Sequence, residues 1–561
     1  MNETRQKIQN YHLIAVVFFI IAALIRLSAI HNLSLTEQEA VFLLSLTSPR
    51  DYLPSSFLYQ MIIKPVLFFF GDSYLAARII NVLLGSTLVV FPIFFEKELG
   101  KKTTLLMSFF LMVDPFLIAN SALLVSHNLI LLLLGIFLLA IALNNDNAIV
   151  LALLLIILSG FGLGYLILVI FIISIINSLM KRSLFNYECL KKVVNRILGC
   201  SQGRLILVSA LSATLIIAFV FKIDMTSIIQ DLLSFITDWS NAYMMENRPL
   251  VYLLVLLAYI PLGIVVVTLS LRTNFSSSKR TVNFLLVWIM ISIMIISLFP
   301  GHHFIDLAWV SMPIWIIVSI YLGGLDFYPL LKNSTGKLGI ITLLVISTSI
   351  ILTIISLINR VGNQERVVDE LLVVIVLIAV LIMILVFIGL QVSLKESYRA
   401  FLICVLVLGL LFQLSNAMRA AGINLQPEYE VLWNGYFNDE EYVKQLIDEQ
   451  RSQKLGTSGI LNIAIIDFQS PQTEWIFHQK NVNYKNNMYQ TEMDWHAVMT
   501  DSNQITNKDG EFFGQRIVKK SYPLWMHEPI NALRYEFWAW MFFRQARLFY
   551  EYGYFWSKNV T

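Results

Sequence analysis

Long apolar runs recur along this chain, and most are long enough to cross a lipid bilayer; the shortest, 148–159, is nearly continuous with 163–179, and the two could also form one long helix. The runs fall near residues 13–30, 77–95, 104–122, 127–143, 148–159, 163–179, 205–221, 250–271, 281–299, 306–324, 338–358, 371–391 and 399–416. Because a transmembrane helix needs about 17–25 apolar residues, the sequence predicts about thirteen transmembrane helices. Hydrophobic residues make up 57% of the chain and charged residues 14%, which excludes an ordinary soluble domain. We therefore expect a polytopic α-helical membrane protein.

The distribution of Lys and Arg among the loops predicts the orientation. Residues 1–30 are interpreted as a first span, because no small-residue cleavage pattern follows their apolar stretch. If the glycines of segment 159–164 separate two spans, the most basic loop, 180–204, lies on the same side as the N-terminus. Short loops rich in Lys and Arg stay cytoplasmic. The prediction is an integral protein of the cell membrane with a cytoplasmic N-terminus and an extracytoplasmic C-terminus.

The chain divides into two regions by composition. Residues 1–418 form the predicted transmembrane domain, in which residues 31–75 are the first external loop. Residues 420–561 are polar enough to fold in water and predict a small extracytoplasmic α/β domain. Its predicted elements are a helix over 439–453, strands near 460–468, 496–501 and 512–519, and an aromatic-rich helix over 531–552.

The first external loop carries the first candidate catalytic residues, Glu37 and Glu39. The loop is too apolar for a solvated linker and too interrupted by Pro and charge to span a bilayer, so we expect it at the membrane interface. A carboxylate there can serve as a general base above a cavity that enters the membrane. The same residues also fit a capping box with Thr36, in which the acid only closes a helix N-terminus. Both interpretations stay open.

Basic side chains near the same surface are the other candidates. His127 follows the third apolar run and can act as a base or simply begin the next helix. His302 and His303 lie in a tight turn between two spans, where they can hold a phosphate or serve only as turn residues. Arg78 and Lys64 can contact phosphate or extend to the interface without a function.

No motif in the sequence identifies a cofactor site. A divalent metal held by Glu37, Glu39, His127 and His302 is chemically reasonable, since imidazole and carboxylate suit zinc or manganese, but no spacing in the sequence supports it. The three cysteines have no metal-ligand spacing and form no external disulfide framework. The net charge of +3 gives no reason to expect a nucleic-acid partner.

Several segments together resemble the GT-C membrane glycosyltransferases, the superfamily of the protein O-mannosyltransferases and the lipid A aminoarabinose transferase. The similar segments are QEA at 38–40, FFFGDSYLAARIINVLLGS at 68–86, MVDPFLIANSALL at 112–124 and PGHHFIDLAWVSMPIW at 300–315. The resemblance implies a GT-C-like fold. It also implies transfer of a sugar from a polyprenyl-phosphate carrier, with an acid of the first loop as the base for the acceptor.

The chain departs from the family pattern at two acidic positions. The family's Asp-Glu pair aligns with Gln38-Glu39, and an amide such as Gln38 is no useful base near neutral pH. The resemblance therefore leaves Glu39 or Glu37 in that role. His127 stands where the family usually carries an Asp, and Arg78 matches the family's Arg.

Three classes of function follow from the sequence. The first is a glycosyltransferase that moves a sugar from a polyprenyl-phosphate carrier to an extracytoplasmic protein, envelope glycan or lipid. The second is a GT-C-fold protein without catalysis that serves as a scaffold or binding subunit among protein partners in a membrane assembly. The third is a transporter, which the sparse ionisable residues within the spans disfavour.

Overall fold

The computed structural model describes residues 2–31, 33–47, 56–71, 73–143, 145–159, 201–223, 249–271, 279–298, 303–325, 334–362, 368–391, 393–423, 429–433, 437–455, 460–466, 468, 470–480, 482–485, 495–501, 512–526 and 535–558. The α-helices before residue 421 are α1 (Asn2–His31), α2 (Glu37–Thr47), α3 (Phe57–Phe70), α4 (Tyr74–Val90), α5 (Glu96–Leu99), α6 (Lys101–Met112), α7 (Pro115–Ala122), α8 (His127–Ala142), α9 (Asp146–Leu158), α10 (Ser201–Val220), α11 (Pro249–Tyr259), α12 (Pro261–Ser270), α13 (Lys279–Leu298), α14 (Ala308–Gly323), α15 (Ser334–Gly362), α16 (Val368–Gln391) and α17 (Leu394–Ala420).

The helices confirm an integral membrane protein. Within the described residues, six helices are long and apolar enough to cross a membrane, or up to eight if each of two bent pairs is one span. Shorter apolar helices lie at most of the remaining predicted runs, including His127–Ile141 and Thr281–Ser297. The run at 163–179 lies outside the described residues. The total of about thirteen spans and their orientation stay predictions.

Two of the predicted spans are broken helices. Helices α6 and α7 meet at 56°, and helices α11 and α12 meet at 93°. At the first break, Asp114 accepts a hydrogen bond from Phe116 N, and Pro115 is the first residue of α7. At the second break, Pro261 begins α12 and cannot donate a backbone hydrogen bond to the preceding turn. Both breaks therefore follow from a proline at the first position of a new helix.

The first loop packs as two short helices, α2 and α3. Their buried residues form one cluster with residues of α8 and α9, and Trp475 from the C-terminal part completes it. The C-terminal end of α3 is exposed instead of buried: Phe68, Phe69 and Phe70 are each more than two-thirds exposed. This loop is consequently part of the packed protein, with an apolar tip at one end.

The C-terminal part contains a five-stranded sheet and three α-helices among its described residues. These elements are α18 (Glu440–Leu455), β1 (Asn462–Ile466), α19 (Pro471–Gln479), β2 (Asn483–Lys485), β3 (Ala497–Thr500), β4 (Phe512–Pro523), α20 (Glu536–Phe543) and β5 (Leu548–Lys558). The strand order is β2-β1-β3-β5-β4. Strand β1 runs parallel to β2 and β3, whereas β5 is antiparallel to β3 and β4. Helices α18 and α19 contribute to the core on one face of this sheet.

The predicted helix over 531–552 is wrong in its second half. Helix α20 ends at Phe543, where Arg544 takes a left-handed backbone conformation with φ of 54°. Residues 548–558 then form strand β5, the central partner of β3 and β4. From Tyr552 to Trp556 the residues alternate between more exposed and buried positions, which is a period of two rather than a helical period.

The C-terminal part contacts the first loop directly. Lys520 Nζ lies 2.6 Å from Glu37 Oε2, and Leu35 N donates to Glu440 Oε2 at 2.6 Å. Lys444 Nζ lies 2.6 Å from Glu440 Oε1. Burial alone would lower the pKa of Lys444, but Glu440 and Glu441 raise it above its ordinary value. A charged network therefore holds the start of α2 against α18 and β4.

Candidate functional site

Glu39 and Arg78 form a fully buried ion pair. Arg78 Nε donates to Glu39 Oε1 at 2.7 Å, and Arg78 Nη2 donates to Glu39 Oε2 at the same distance. Neither side chain is exposed to solvent. This bidentate arrangement places α2 of the first loop against α4 and is the strong form of a charged hydrogen bond.

The remaining hydrogen bonds of the pair are made within the protein. Glu39 Oε2 accepts from Thr36 N and Thr36 Oγ1, and Glu39 N donates to Thr36 Oγ1 at 3.3 Å, so the capping box forms. Glu39 Oε1 also accepts from Leu124 N at 2.9 Å. Arg78 donates to the carbonyl oxygens of Leu33 and Ser34. In this arrangement, the Glu39 carboxylate is fully occupied by donors of the protein itself.

Glu37 lies at the start of the same helix but faces a different environment. Its side chain is 40% exposed and is bound to Lys520 of β4. The two glutamates of the loop thus have separate surroundings: one is buried within the helical part, and the other joins the loop to the sheet.

His127 and Asp306 form a second side-chain pair, closer to solvent. His127 Nε2 lies 2.6 Å from Asp306 Oδ1, and the two side chains are 12% and 9% exposed. His127 is the first residue of α8, and Asp306 lies in a short 3-10 helix, Phe304–Leu307, that precedes α14. Asp306 Oδ2 accepts from His303 N at 2.9 Å, which holds the carboxylate in place. An oriented carboxylate in turn fixes the imidazole.

The turn between α7 and α8 connects the Glu39–Arg78 pair with the His127–Asp306 pair. Leu124 N binds Glu39, and His127 follows three residues later. Asn81 of α4 donates through Nδ2 to the carbonyl oxygens of Leu123 and Val125, the second at 2.8 Å. The backbone of this turn is therefore held from the α2 and α4 side, and it presents His127 on the side of Asp306.

The predicted phosphate-binding residues are dispersed. Arg78 is engaged with Glu39 and two backbone carbonyls, as described above. Lys64 Nζ donates to the carbonyl oxygen of Lys222 at 3.1 Å. His303 lies beside the His127–Asp306 pair through its backbone, whereas His302 lies outside the described residues. The structure thus brings His127 and His303 together and places Arg78 and Lys64 elsewhere.

The part of the chain that the structure describes contains no cluster of metal-ligating side chains. No group of three or more His, Cys, Asp or Glu side chains there could hold a metal ion. Glu37 and Glu39 face different partners, and His127 is paired with a single carboxylate. The donors proposed from the sequence do not converge on one point among these residues.

Sequence reasoning missed Asp306 and Lys520. Asp306 stands three residues after His303, the spacing of an acid that returns to the N-terminal backbone of a helix, and this pattern was available in the sequence. The sequence gives no signal for the contact between Asp306 and His127, since the two residues lie in helices distant in sequence. Lys520 gave no local signal, because its partner Glu37 lies at the other end of the chain.

Comparisons with known proteins found structural similarity only. No protein-family model and no curated protein sequence matches the chain. The crystal structure of ArnT from Cupriavidus metallidurans bound to undecaprenyl phosphate is 12% identical with a TM-score of 0.46, over 86% of this chain and 92% of that chain. The apo structure of the same ArnT is 11% identical with a TM-score of 0.44, over 89% of this chain and 93% of that one. The assignment of the site therefore depends on the contacts described above.

Proposed function

We propose that this chain is a membrane glycosyltransferase that moves a sugar from a polyprenyl-phosphate carrier to an extracytoplasmic acceptor. The observation that supports this function best is the His127–Asp306 pair, with its 2.6 Å contact. The likeness of segments 38–40, 68–86 and 112–124 to the GT-C enzymes supports the same class of reaction. The acceptor is an extracytoplasmic protein, envelope glycan or lipid.

In the proposed reaction, His127 is the general base. If Nε2 donates its proton to Asp306 Oδ1, the neutral imidazole carries its acceptor lone pair on Nδ1. An acceptor hydroxyl attacks the anomeric carbon of the carrier-bound sugar while its proton passes to that nitrogen. The bond between the anomeric carbon and the phosphate oxygen breaks, and its electron pair leaves with the polyprenyl phosphate. The products are the glycosylated acceptor and the free carrier.

Glu39 and Arg78 have a positioning role in this proposal. Their hydrogen bonds hold the loop, α4 and the turn before His127 in one arrangement. His303 is the proposed partner of the carrier phosphate, since it is basic and its backbone lies beside the His127–Asp306 pair. Glu37, bound to Lys520, fixes the sheet above the loop.

One observation favours the alternative of a catalytically inactive scaffold or binding subunit. The Glu39 carboxylate, which the family resemblance designates as the base, points to Thr36, Arg78 and Leu124 instead of an open cavity. If this carboxylate serves only stability and Glu37 serves only its ion pair with Lys520, the first loop supplies no base. The glycosyltransferase and the scaffold then differ in whether His127 supplies the general base.

Paired substitutions test the proposal in full-length protein reconstituted with prenyl-phosphate-linked sugars. His127→Asn should lower turnover about 10²–10⁴-fold, the usual effect of a lost general base. Asp306→Asn should lower it in the same direction, because it removes the group that orients the imidazole. Asp448→Asn, in an exposed ion pair with Lys480, is the matched control and should leave turnover unchanged. Full activity of His127→Asn would contradict the assigned base.

A further inference from the structure

The two faces of the C-terminal sheet differ in what covers them. One face carries Ile465, Met499 and Phe555 and packs against α18 and α19. Helix α19 also places Trp475 among residues of α2 and α3. The covered face therefore looks toward the helical part of the protein, and the opposite face looks away from it.

The opposite face carries an aromatic stripe along β5, formed by Tyr550, Tyr552, Tyr554 and Trp556. Alternate residues of a strand share one face, so these four rings line up. Tyr550 and Tyr552 have ring centroids 5.9 Å apart and planes at 23°. Tyr554 and Trp556 have centroids 6.1 Å apart and planes at 32°. The stripe thus consists of two pairs of nearly parallel rings.

Strand β4 lies beside this stripe and adds a positive charge, while Trp556 at the end of the stripe also packs against Trp495 and Val498. Gly514 pairs with Trp556, and a Cβ at Gly514 would lie 2.5 Å from the indole, so the ring lies directly over the strand. Arg516 is exposed, and its guanidinium lies 4.4 Å from the Tyr552 ring centroid. In the described part of the chain, Arg516 forms no ion pair with a carboxylate. The cation is therefore available to an anionic group that stacks on the stripe.

The stripe begins near the contact between the sheet and the first loop. Tyr550 pairs with Ser521, which follows Lys520, the residue bound to Glu37 of the first loop. From that point the rings run outward along β5 to Trp556. A long ligand on the stripe would thus have one end beside the first loop.

We propose that this aromatic stripe binds an extended acidic glycan, the acceptor chain of the proposed transfer. The apolar C–H face of a pyranose stacks on an aromatic ring, and its burial releases water. Two residues of a strand advance about 6.6–6.8 Å, comparable with the length of one sugar unit, so successive rings meet successive sugars. The guanidinium of Arg516 then pairs with a carboxylate or phosphate of the glycan. The identity of the bound chain as acceptor depends on the proposed function, but its binding does not.

The stripe is tested by saturation-transfer NMR on the full-length protein in detergent micelles. The probes are a β-1,4-linked tetrasaccharide of glucuronic acid and the matching neutral glucose tetrasaccharide. We expect the acidic probe to bind, Tyr552→Ala to weaken it at least about tenfold, and Arg516→Gln to weaken the acidic probe more than the neutral one. Phe549→Ala removes an exposed ring from the other face of β5 and is the matched control, which should bind normally.

Two results would overturn the proposal. The first is that the acidic tetrasaccharide does not bind the unmodified protein, or that it binds Tyr552→Ala equally well. The other is fluorescence of Tyr552→Trp that brominated lipid quenches in nanodiscs, which would assign the stripe to the membrane surface. The His127→Asn variant separates this proposal from the transfer reaction, because it should bind the acidic tetrasaccharide like the unmodified protein. If this variant loses transfer but still binds the tetrasaccharide, the loss concerns the role of His127 in transfer and leaves the proposal for the stripe unaffected.

Discussion

At the residue scale, the carboxylates of the Glu39–Arg78 pair and the His127–Asp306 pair have different surroundings. Glu39 is saturated by Arg78, Thr36 and Leu124 in a place that water does not reach. Asp306 divides its oxygens between a backbone N–H and the partly exposed imidazole of His127. A carboxylate of the first kind stabilises the fold, and one of the second kind can orient a reacting group.

Replacing Glu39 should therefore affect folding before chemistry. Glu39→Gln keeps the size of the side chain but leaves the buried Arg78 guanidinium without its anion, which costs about 3–5 kcal/mol of unfolding free energy. Glu37→Gln is the control, because its partly exposed pair with Lys520 contributes only about 0–1 kcal/mol. Thermal unfolding in detergent measures both variants. Equal midpoints for the two variants would contradict the structural role of Glu39.

Glu430 gives a prediction for pH. Burial raises the pKa of its carboxyl above the ordinary value, although Arg544 acts in the opposite direction. The folded protein thus holds this proton more tightly than the unfolded chain does. Its contribution to stability is fully present below the unfolded pKa, about 4.3, and is lost as pH rises through the folded pKa.

Glu430→Gln removes that titration. The difference in unfolding midpoint, variant minus unmodified protein, should increase as pH rises from about 4 to about 8. Thermal unfolding of both proteins across this range gives the difference directly. A difference that stays constant or decreases with pH would show that Glu430 is not the group responsible.

At the scale of elements, close helix contacts depend on small residues. A Cβ at Gly85 of α4 would overlap Ser121 Oγ and lie 3.1 Å from Asn128 Nδ2. Ser121 cannot move easily, because its hydroxyl accepts hydrogen bonds from Arg26 and Asn128. The turn that carries His127 therefore depends on the contact between α4 and α7.

Gly85→Ala tests this contact. We expect a loss of about 1–3 kcal/mol in unfolding free energy, the usual cost of overpacking a closed interface. Gly324→Ala is the control, since the nearest atom to its Cβ would lie 3.6 Å away, at an ordinary van der Waals distance. Thermal unfolding of the pair should separate them, and a stable Gly85→Ala protein would mean that Ser121 and its partners rearrange.

The elements also show how far the sequence predicts this molecule. The apolar runs locate the long helices, and Thr36 with Glu39 predicts a cap, because both signals are local. The bends at Asp114 and Pro261 have local signals, yet their angles depend on packing against other helices. The sequence predicts a helix over residues 548–552, the first part of β5, because their aromatic side chains suit both structures, and only pairing with β3 and β4 decides between them. The His127–Asp306 contact is purely tertiary.

At the scale of the whole molecule, the C-terminal sheet and the first loop share one end of the helical part. Lys520, Glu440 and Trp475 all contact the loop or its helices. The distribution of Lys and Arg predicts that this end is extracytoplasmic. The site and the aromatic stripe would then both face the acceptor.

Cysteine labelling tests this orientation. With the native cysteines replaced, a Ser452→Cys variant presents one thiol on the exposed surface of α18. An impermeant maleimide should modify it in intact cells. Modification only after lysis would place the sheet in the cytoplasm and contradict the predicted topology.

The central claim is that the His127–Asp306 pair serves sugar transfer from a lipid phosphate. The most direct measurement is the release of free polyprenyl phosphate, followed by mass spectrometry, when prenyl-phosphate-linked sugars are incubated with the protein in nanodiscs together with a cell-envelope extract that supplies the acceptor. The claim predicts release by the unmodified protein and by Asp448→Asn, with about 10²–10⁴-fold less from His127→Asn. No release by the unmodified protein across prenyl-linked sugars, or equal release by His127→Asn, would contradict it.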